Sequence, residues 1–166
     1  MENTICPLDN RYYDKISIVS KYFSYKNWIA YRLLIELKYY NFLYDLLPEL
    51  HNNINIEKMD KFVNIEGNTA NIQSIINIEK EIHHDIKAIE LFLRNQYITL
   101  DIGDIKYREF IHFGLTSQDI NSVAFSLQLK ECITECILPT KRVKFLICLS
   151  IKPNSFNSYI LLVIIS

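Results

Sequence analysis

The sequence predicts an all-α fold. Apolar residues recur at helical steps over two long stretches, a third such stretch opens at a capped start near Thr116, and no segment between Ser20 and Pro139 alternates at period two for long enough to argue for a sheet. At 166 residues, 49% of them apolar, the chain has the size of one domain and enough apolar side chains for a core of its own. The helices carry apolar stripes that must find partners, which is the requirement that a helix-on-helix fold meets.

The first helix is expected between Ser20 and Leu47. Ile29, Leu33, Leu37, Tyr40 and Tyr44 follow one another at steps of four, four, three and four, and Pro48 closes the run. Ser17, Ser20 and Ser24 all have the chemistry of an N-cap, so the start stays open among them. A second helix is expected from about Thr69 to Gln96, with Ile75, Ile82 and Ile89 repeating at seven and Ile72, Ile86 and Leu93 on the adjoining rows. The third starts in FIHFGLTSQDINS, with Ile120, Ala124 and Leu127 on one face, Leu129, Ile133 and Cys136 on another, and Pro139 at its end.

After Pro139 the character changes. Two apolar runs, Phe145–Ile151 and Tyr159–Ile165, are separated by Lys152-Pro153-Asn154-Ser155. Each is far shorter than the ~20 apolar residues of a membrane span, so no membrane partner is expected. The organisation read from the sequence is a helical N-terminal domain over 1–112, the start of a central helical domain over 113–139, and a divergent apolar tail over 140–166.

Charge narrows the partners. Eighteen Lys and Arg against nineteen Asp and Glu give no basic field, so no nucleic acid partner is expected, while a small anion held by local groups remains open. Met1-Glu2-Asn3 leads into no apolar stretch, which predicts no secretory signal and a cytoplasmic, reducing setting. The four cysteines form no C-x-x-C pair and read as small reduced apolar residues, and no metal site is expected.

Three clusters carry chemistry. Pro7-Leu8-Asp9-Asn10-Arg11-Tyr12-Tyr13 offers an arginine fork suited to phosphate or carboxylate beside aromatic rings, or else a solvated turn. In His83-His84-Asp85, neighbours on a helix diverge by about a quarter-turn and cannot easily share a metal. Asp85 then either caps a helix start or orients an imidazole, or the trio is a solvated face. Thr116-Ser117-Gln118-Asp119 has the form of a capping box, with Thr116 bonding toward the amide of Asp119. Gly114 lets backbone approach closely there, and the helix start offers amides and a positive dipole end to an anion.

Taken in order, PLDNRYY, HHDIKAIE and EFIHFGLTSQDINSVAFSLQLKE resemble the N-terminal part of the adenylosuccinate lyases of the fumarase and aspartase superfamily, over roughly residues 5 to 139. The resemblance implies a mostly helical homotetramer without a cofactor. It also implies elimination of fumarate from adenylosuccinate and from the succinylated imidazole-carboxamide ribotide, in purine and AMP biosynthesis. Arg11 and Tyr12 match the family's substrate-binding Arg-Tyr pair, His84 and Asp85 its His-Asp in the substrate pocket, and Thr116 and Ser117 the pair on the succinyl portion. His83 stands where many relatives have Asn or Arg and supplies a donor beside that pocket, and His84 has at most a supporting role in the chemistry.

The Thr-His segment that carries the family's general acid and the Ser-rich loop ending in Met-Pro-His-Lys that carries its general base do not occur in this sequence. What the resemblance implies is thus a truncated lyase, inactive alone, with its catalytic acid and base absent. The alternative is a non-catalytic helical partner that docks its unpaired apolar stripes onto complete lyase subunits.

Overall fold

A computed structural model describes residues 12–60 and 69–139. Arg11, Cys6 and the apolar tail after Pro139 lie outside the described residues. Within them the chain is all-α as expected, without a strand; one isolated antiparallel bridge joins Ile54 to Gly103.

The first periodic stretch is two helices, α1 (Tyr13–Phe23) and α2 (Tyr25–Leu46). They part at Ser24, whose backbone is extended at φ −68° and ψ 154°. The Ser24 hydroxyl accepts the amide of Asn27 at 3.4 Å, so Ser24 is the cap among the three candidate serines, while Ser17 and Ser20 lie inside α1. Pro48 ends α2 and opens a single turn, α3 (Pro48–His51), where its missing amide proton costs nothing. A second short helix, α4 (Ile56–Asp60), follows.

The second periodic stretch also divides, into α5 (Thr69–Ile82) and α6 (Asp85–Thr99). The cause is His83, which adopts a left-handed backbone at φ 55° and stops the helical ladder. The apolar stripe resumes almost in phase beyond it, with Ile75, Ile86, Ile89 and Leu93 buried, so periodicity alone reads through the break. Ile82, expected on that stripe, is exposed at the junction. A 3-10 turn (Ile105–Phe110) comes next, capped by the Asp104 carboxylate on the Lys106 amide, then α7 (Ser117–Cys132) and a π-helical turn (Ile133–Ile137).

Two compact units emerge. One is Trp28–Phe125, and its core joins Ile29, Leu33, Leu37 and Tyr40 of α2 to Ile75 of α5, Ile89 and Leu93 of α6 and Ile120 of α7. Helix α6 packs against both α5 and the 3-10 turn. Each such aliphatic side chain removed from water contributes about 1.5–3 kcal/mol, which is what holds helices of this length in place.

The other unit, Met1–Asn27 with Ser126–Ser166, is described over residues 12–27 and 126–139. There the buried Tyr22 donates its hydroxyl proton to the Glu135 carboxylate, and its carbonyl accepts from Gln128 Nε2 at 2.7 Å. Lys21 completes the group with an ion pair to Glu135 at 2.9 Å. Cys132, buried, and Cys136, half-buried, are free thiols, and burial pushes the Cys132 thiol up. Among the described residues no helix is long and apolar enough to cross a membrane.

Candidate functional site

The His83-His84-Asp85 cluster sits in the break between α5 and α6 rather than along one helix, which replaces the quarter-turn geometry expected for it. His83 ends α5, its amide donating to the Glu79 carbonyl at 2.8 Å. His84 is the N-cap of α6, with Nδ1 accepting the Lys87 amide at 3.2 Å. That bond leaves the neutral ring's proton on Nε2, so the half-exposed imidazole turns a donor outward.

Asp85 does not orient the ring, since its Oδ1 lies 3.8 Å from His84 Nδ1. Instead Oδ1 accepts the Ile86 amide at 2.8 Å and Oδ2 pairs with the Arg32 guanidinium at 2.8 Å. Of the alternatives open in the sequence, the geometry gives the helix cap to His84 and an ion pair to Asp85. Sequence reasoning missed Arg32.

Thr116 to Asp119 forms the helix start of α7, with one half of the expected box reversed. Asp119 Oδ2 accepts both the Thr116 amide and the Thr116 hydroxyl, each at 2.7 Å, so the hydroxyl donates to the carboxylate instead of accepting an amide. The Asp119 amide goes to the Thr116 carbonyl at 3.1 Å. Those two bonds from Thr116, backbone first, hold the Asp119 carboxyl below its usual range. The first amides of α7, at Ser117 and Gln118, have no acceptor inside the helix and point to its open end. An anion placed there would meet those amides, and it would compete with Asp119 for the Thr116 hydroxyl.

Gly114 acts through its conformation. Its φ is +71°, and a Cβ built on it meets nothing within 4 Å, so freedom of the backbone and not close approach is what the position demands. Two residues before it, His112 is also left-handed at φ 62°. Its Nδ1 lies 2.5 Å from Oε1 of Glu36, a carboxylate with no exposed side-chain surface. The bond to Glu36 raises the His112 pKa against the lowering effect of burial.

Arg32 and Glu36 therefore reach the two clusters from one face of α2. Both are buried, and both stand inside or beside the apolar stripe of that helix, Glu36 between Leu33 and Tyr40 in register. A charge within an apolar stripe was the signal that could have found them, because such a charge must be paired. Around them, Glu90, also buried, pairs with Lys87 at 2.8 Å and Arg94 at 2.9 Å, and Arg94 pairs with Glu109 at 2.7 Å.

The remaining candidates lie in the other unit. Tyr12 is the N-cap residue of α1, exposed, with the Lys15 ammonium 6.0 Å from its ring centre. Arg11 lies outside the described residues. Among the described residues no three His, Cys, Asp or Glu side chains converge as they would around a metal ion.

Comparison with known proteins bears on what these clusters are for. No family model matches the chain. It is 38% identical over 141 residues to an adenylosuccinate lyase of Dictyostelium discoideum, covering 81% of this chain and 30% of that protein. An adenylosuccinate lyase of Buchnera aphidicola subsp. Acyrthosiphon pisum (strain APS) is 38% identical over 139 residues, with the same coverages. One from Legionella pneumophila (strain Corby) is 35% identical over 144 residues, covering 83% of this chain and 31% of its own length. The chain thus spans about 30% of the length of the curated relatives it matches. By sequence it is similar to adenylosuccinate lyases over 81–83% of its own length.

Proposed function

We propose that this chain carries substrate-binding donors of an adenylosuccinate lyase site, and that the 166-residue chain alone releases no fumarate. The observation that carries the reading is the match to adenylosuccinate lyases over 81% of the chain, at identities up to 38%. The substrates would be adenylosuccinate and the succinylated imidazole-carboxamide ribotide, in the cytoplasm, and any assembly would be homotetrameric. In the division of labour we infer, residues 1–112 form an N-terminal helical domain and 113–139 begin a central one.

The chemistry asked of the residues follows from the elimination. Removing a proton beside a carboxylate places developing charge on that carboxylate. Oriented donors that strengthen as this charge grows lower the barrier, and one lost donor of this kind costs a factor of about 10²–10³. Thr116, Ser117 and the open amides of α7 suit the succinyl portion. His84, with Nε2–H turned outward, suits a second acceptor; Arg11 and Tyr12 suit the phosphate and base.

Neither the Thr-His nor the Met-Pro-His-Lys segment occurs in the sequence, so general acid and general base are both missing from this chain. Each such group contributes roughly a hundredfold or more. Purified chain should show no fumarate release from adenylosuccinate above the no-protein control. Turnover comparable with that of a complete lyase would refute the proposal.

A second reading, as a helical partner of complete lyase subunits, is favoured by Val123 and Phe125, each 51% exposed on α7. Co-expression with a complete lyase decides it, since a docking partner must co-purify.

A further inference from the structure

Resting on the reading above, we infer that one face of α2, carrying Arg32, Glu36 and Tyr39, is a pin that fixes the two candidate donor segments in a single register. The three residues stand at i, i+4 and i+7, so they lie along one stripe of the helix. Arg32 holds Asp85, the first residue of α6 and the neighbour of His84, at 2.8 Å. Glu36 holds His112 at 2.5 Å. The Tyr39 hydroxyl donates to the Phe113 carbonyl at 2.9 Å. One helix thus anchors the entry to both capped starts, that of α6 at His84 and that of α7 at Thr116.

The backbone makes the anchoring necessary. His83 and His112, left-handed without being glycine, precede the two segments at φ 55° and 62°. Such residues cost of order 1–3 kcal/mol each and persist only where surrounding contacts over-determine them. At His112 those contacts are Glu36 and, through the next carbonyl, Tyr39. At the α6 start they are the Arg32–Asp85 pair, with the guanidinium stacked 4.1 Å from the ring centre of Trp28, the one tryptophan in the sequence.

Arg32 and Glu36 would act through Asp85 and His112 without touching substrate, which makes them positioning residues. Removing either should release one segment and leave the other in place. The Glu36–His112 bond should also tie the α7 start to the protonation of His112. The charged groups facing that imidazole are Glu36 on α2, Glu90 and Lys87 on α6, and Asp119 on α7.

Nuclear magnetic resonance of the ¹⁵N-labelled 166-residue chain tests the pin. Between about pH 5 and about pH 9 the Gly114 to Ser117 amides should move with the midpoint of the His112 ring, above the ordinary value of about 6.5. In Glu36→Gln that midpoint should fall back toward the ordinary value, and the amides should cease to follow it. Arg32→Gln should shift the His84 to Lys87 amides and leave 112–117 unmoved. Amides of 114–117 that ignore the His112 titration, or that respond equally to both variants, would overturn the pin, because general loosening does the latter.

If Glu36→Gln does not fold, Tyr39→Phe keeps the ring's packing and removes only the hydroxyl. It should then perturb Phe113 and Gly114, and silence there would overturn the proposal. Adenylosuccinate titrated into the same sample addresses the functional reading separately. Shifts at His84, Asp85, Thr116 and Ser117 support that reading; their absence counts against it and leaves the pin to the pH and variant results.

Discussion

His112 couples a strained backbone to a buried carboxylate, and its protonation has a direction in stability. Its folded-state pKa is raised, first by the bond to Glu36 and against the opposing effect of burial. A histidine raised on folding contributes its stabilisation in full below the unfolded value of about 6.5, and loses it as pH rises through the folded pKa. Urea midpoints of the chain should therefore decline as pH rises from about 6.5, and Glu36→Gln should flatten that decline. Asp119 has the opposite sign. Held below its usual range by Thr116, it stabilises the α7 start above the ordinary carboxylate range and loses that contribution as pH falls through its lowered pKa. Protection of the Thr116 and Asp119 amides, taken relative to their intrinsic exchange rates, should fall in acid, and Asp119→Ala should show the lower protection at neutral pH already. The partner of Asp119 was readable from its three-residue spacing to Thr116, whereas that of His112 was not. Glu36 and His112 are 76 positions apart, and a pairing between distant segments leaves no local periodicity.

At the scale of elements, left-handed backbone at His83, Asp101, His112 and Gly114 marks the junctions between helices. Gly114→Ala should destabilise the chain by about 1 kcal/mol, from the left-handed φ alone, since a Cβ there touches nothing. Gly103→Ala should cost more, because its Cβ would stand 2.2 Å from the Asn53 carbonyl oxygen and push apart the bridge between Ile54 and Gly103. Chemical denaturation of both variants checks the order, and equal losses would contradict it. The helix type of each long stretch was legible because the stripes of Ile29, Leu33 and Leu37, and of Ile75, Ile86 and Ile89, are core stripes. The breaks at Ser24 and His83 were not legible. A break that keeps the stripe nearly in phase leaves the apolar pattern intact, and histidine carries none of glycine's warning of positive φ. Helix α1 escaped although Ile16, Val19 and Tyr22 stand at helical steps, and Tyr22 is its one buried residue.

For the whole molecule, the candidate site was legible to different depths in its parts. The Thr116–Asp119 box was readable because a helix start has local rules, although the hydroxyl turned out to donate to the acid. The pin on α2 was not, because it depends on which helices pack together. The most direct measurement is fumarate release by a chimera in which residues 5–139 replace the corresponding part of the Dictyostelium discoideum relative, run beside the isolated chain. The chimera should turn over adenylosuccinate and lose roughly a hundredfold or more on Thr116→Ala with Ser117→Ala, while the isolated chain stays silent. A folded chimera that releases no fumarate, or one indifferent to the loss of both hydroxyls, would contradict the assignment of these residues to a lyase site.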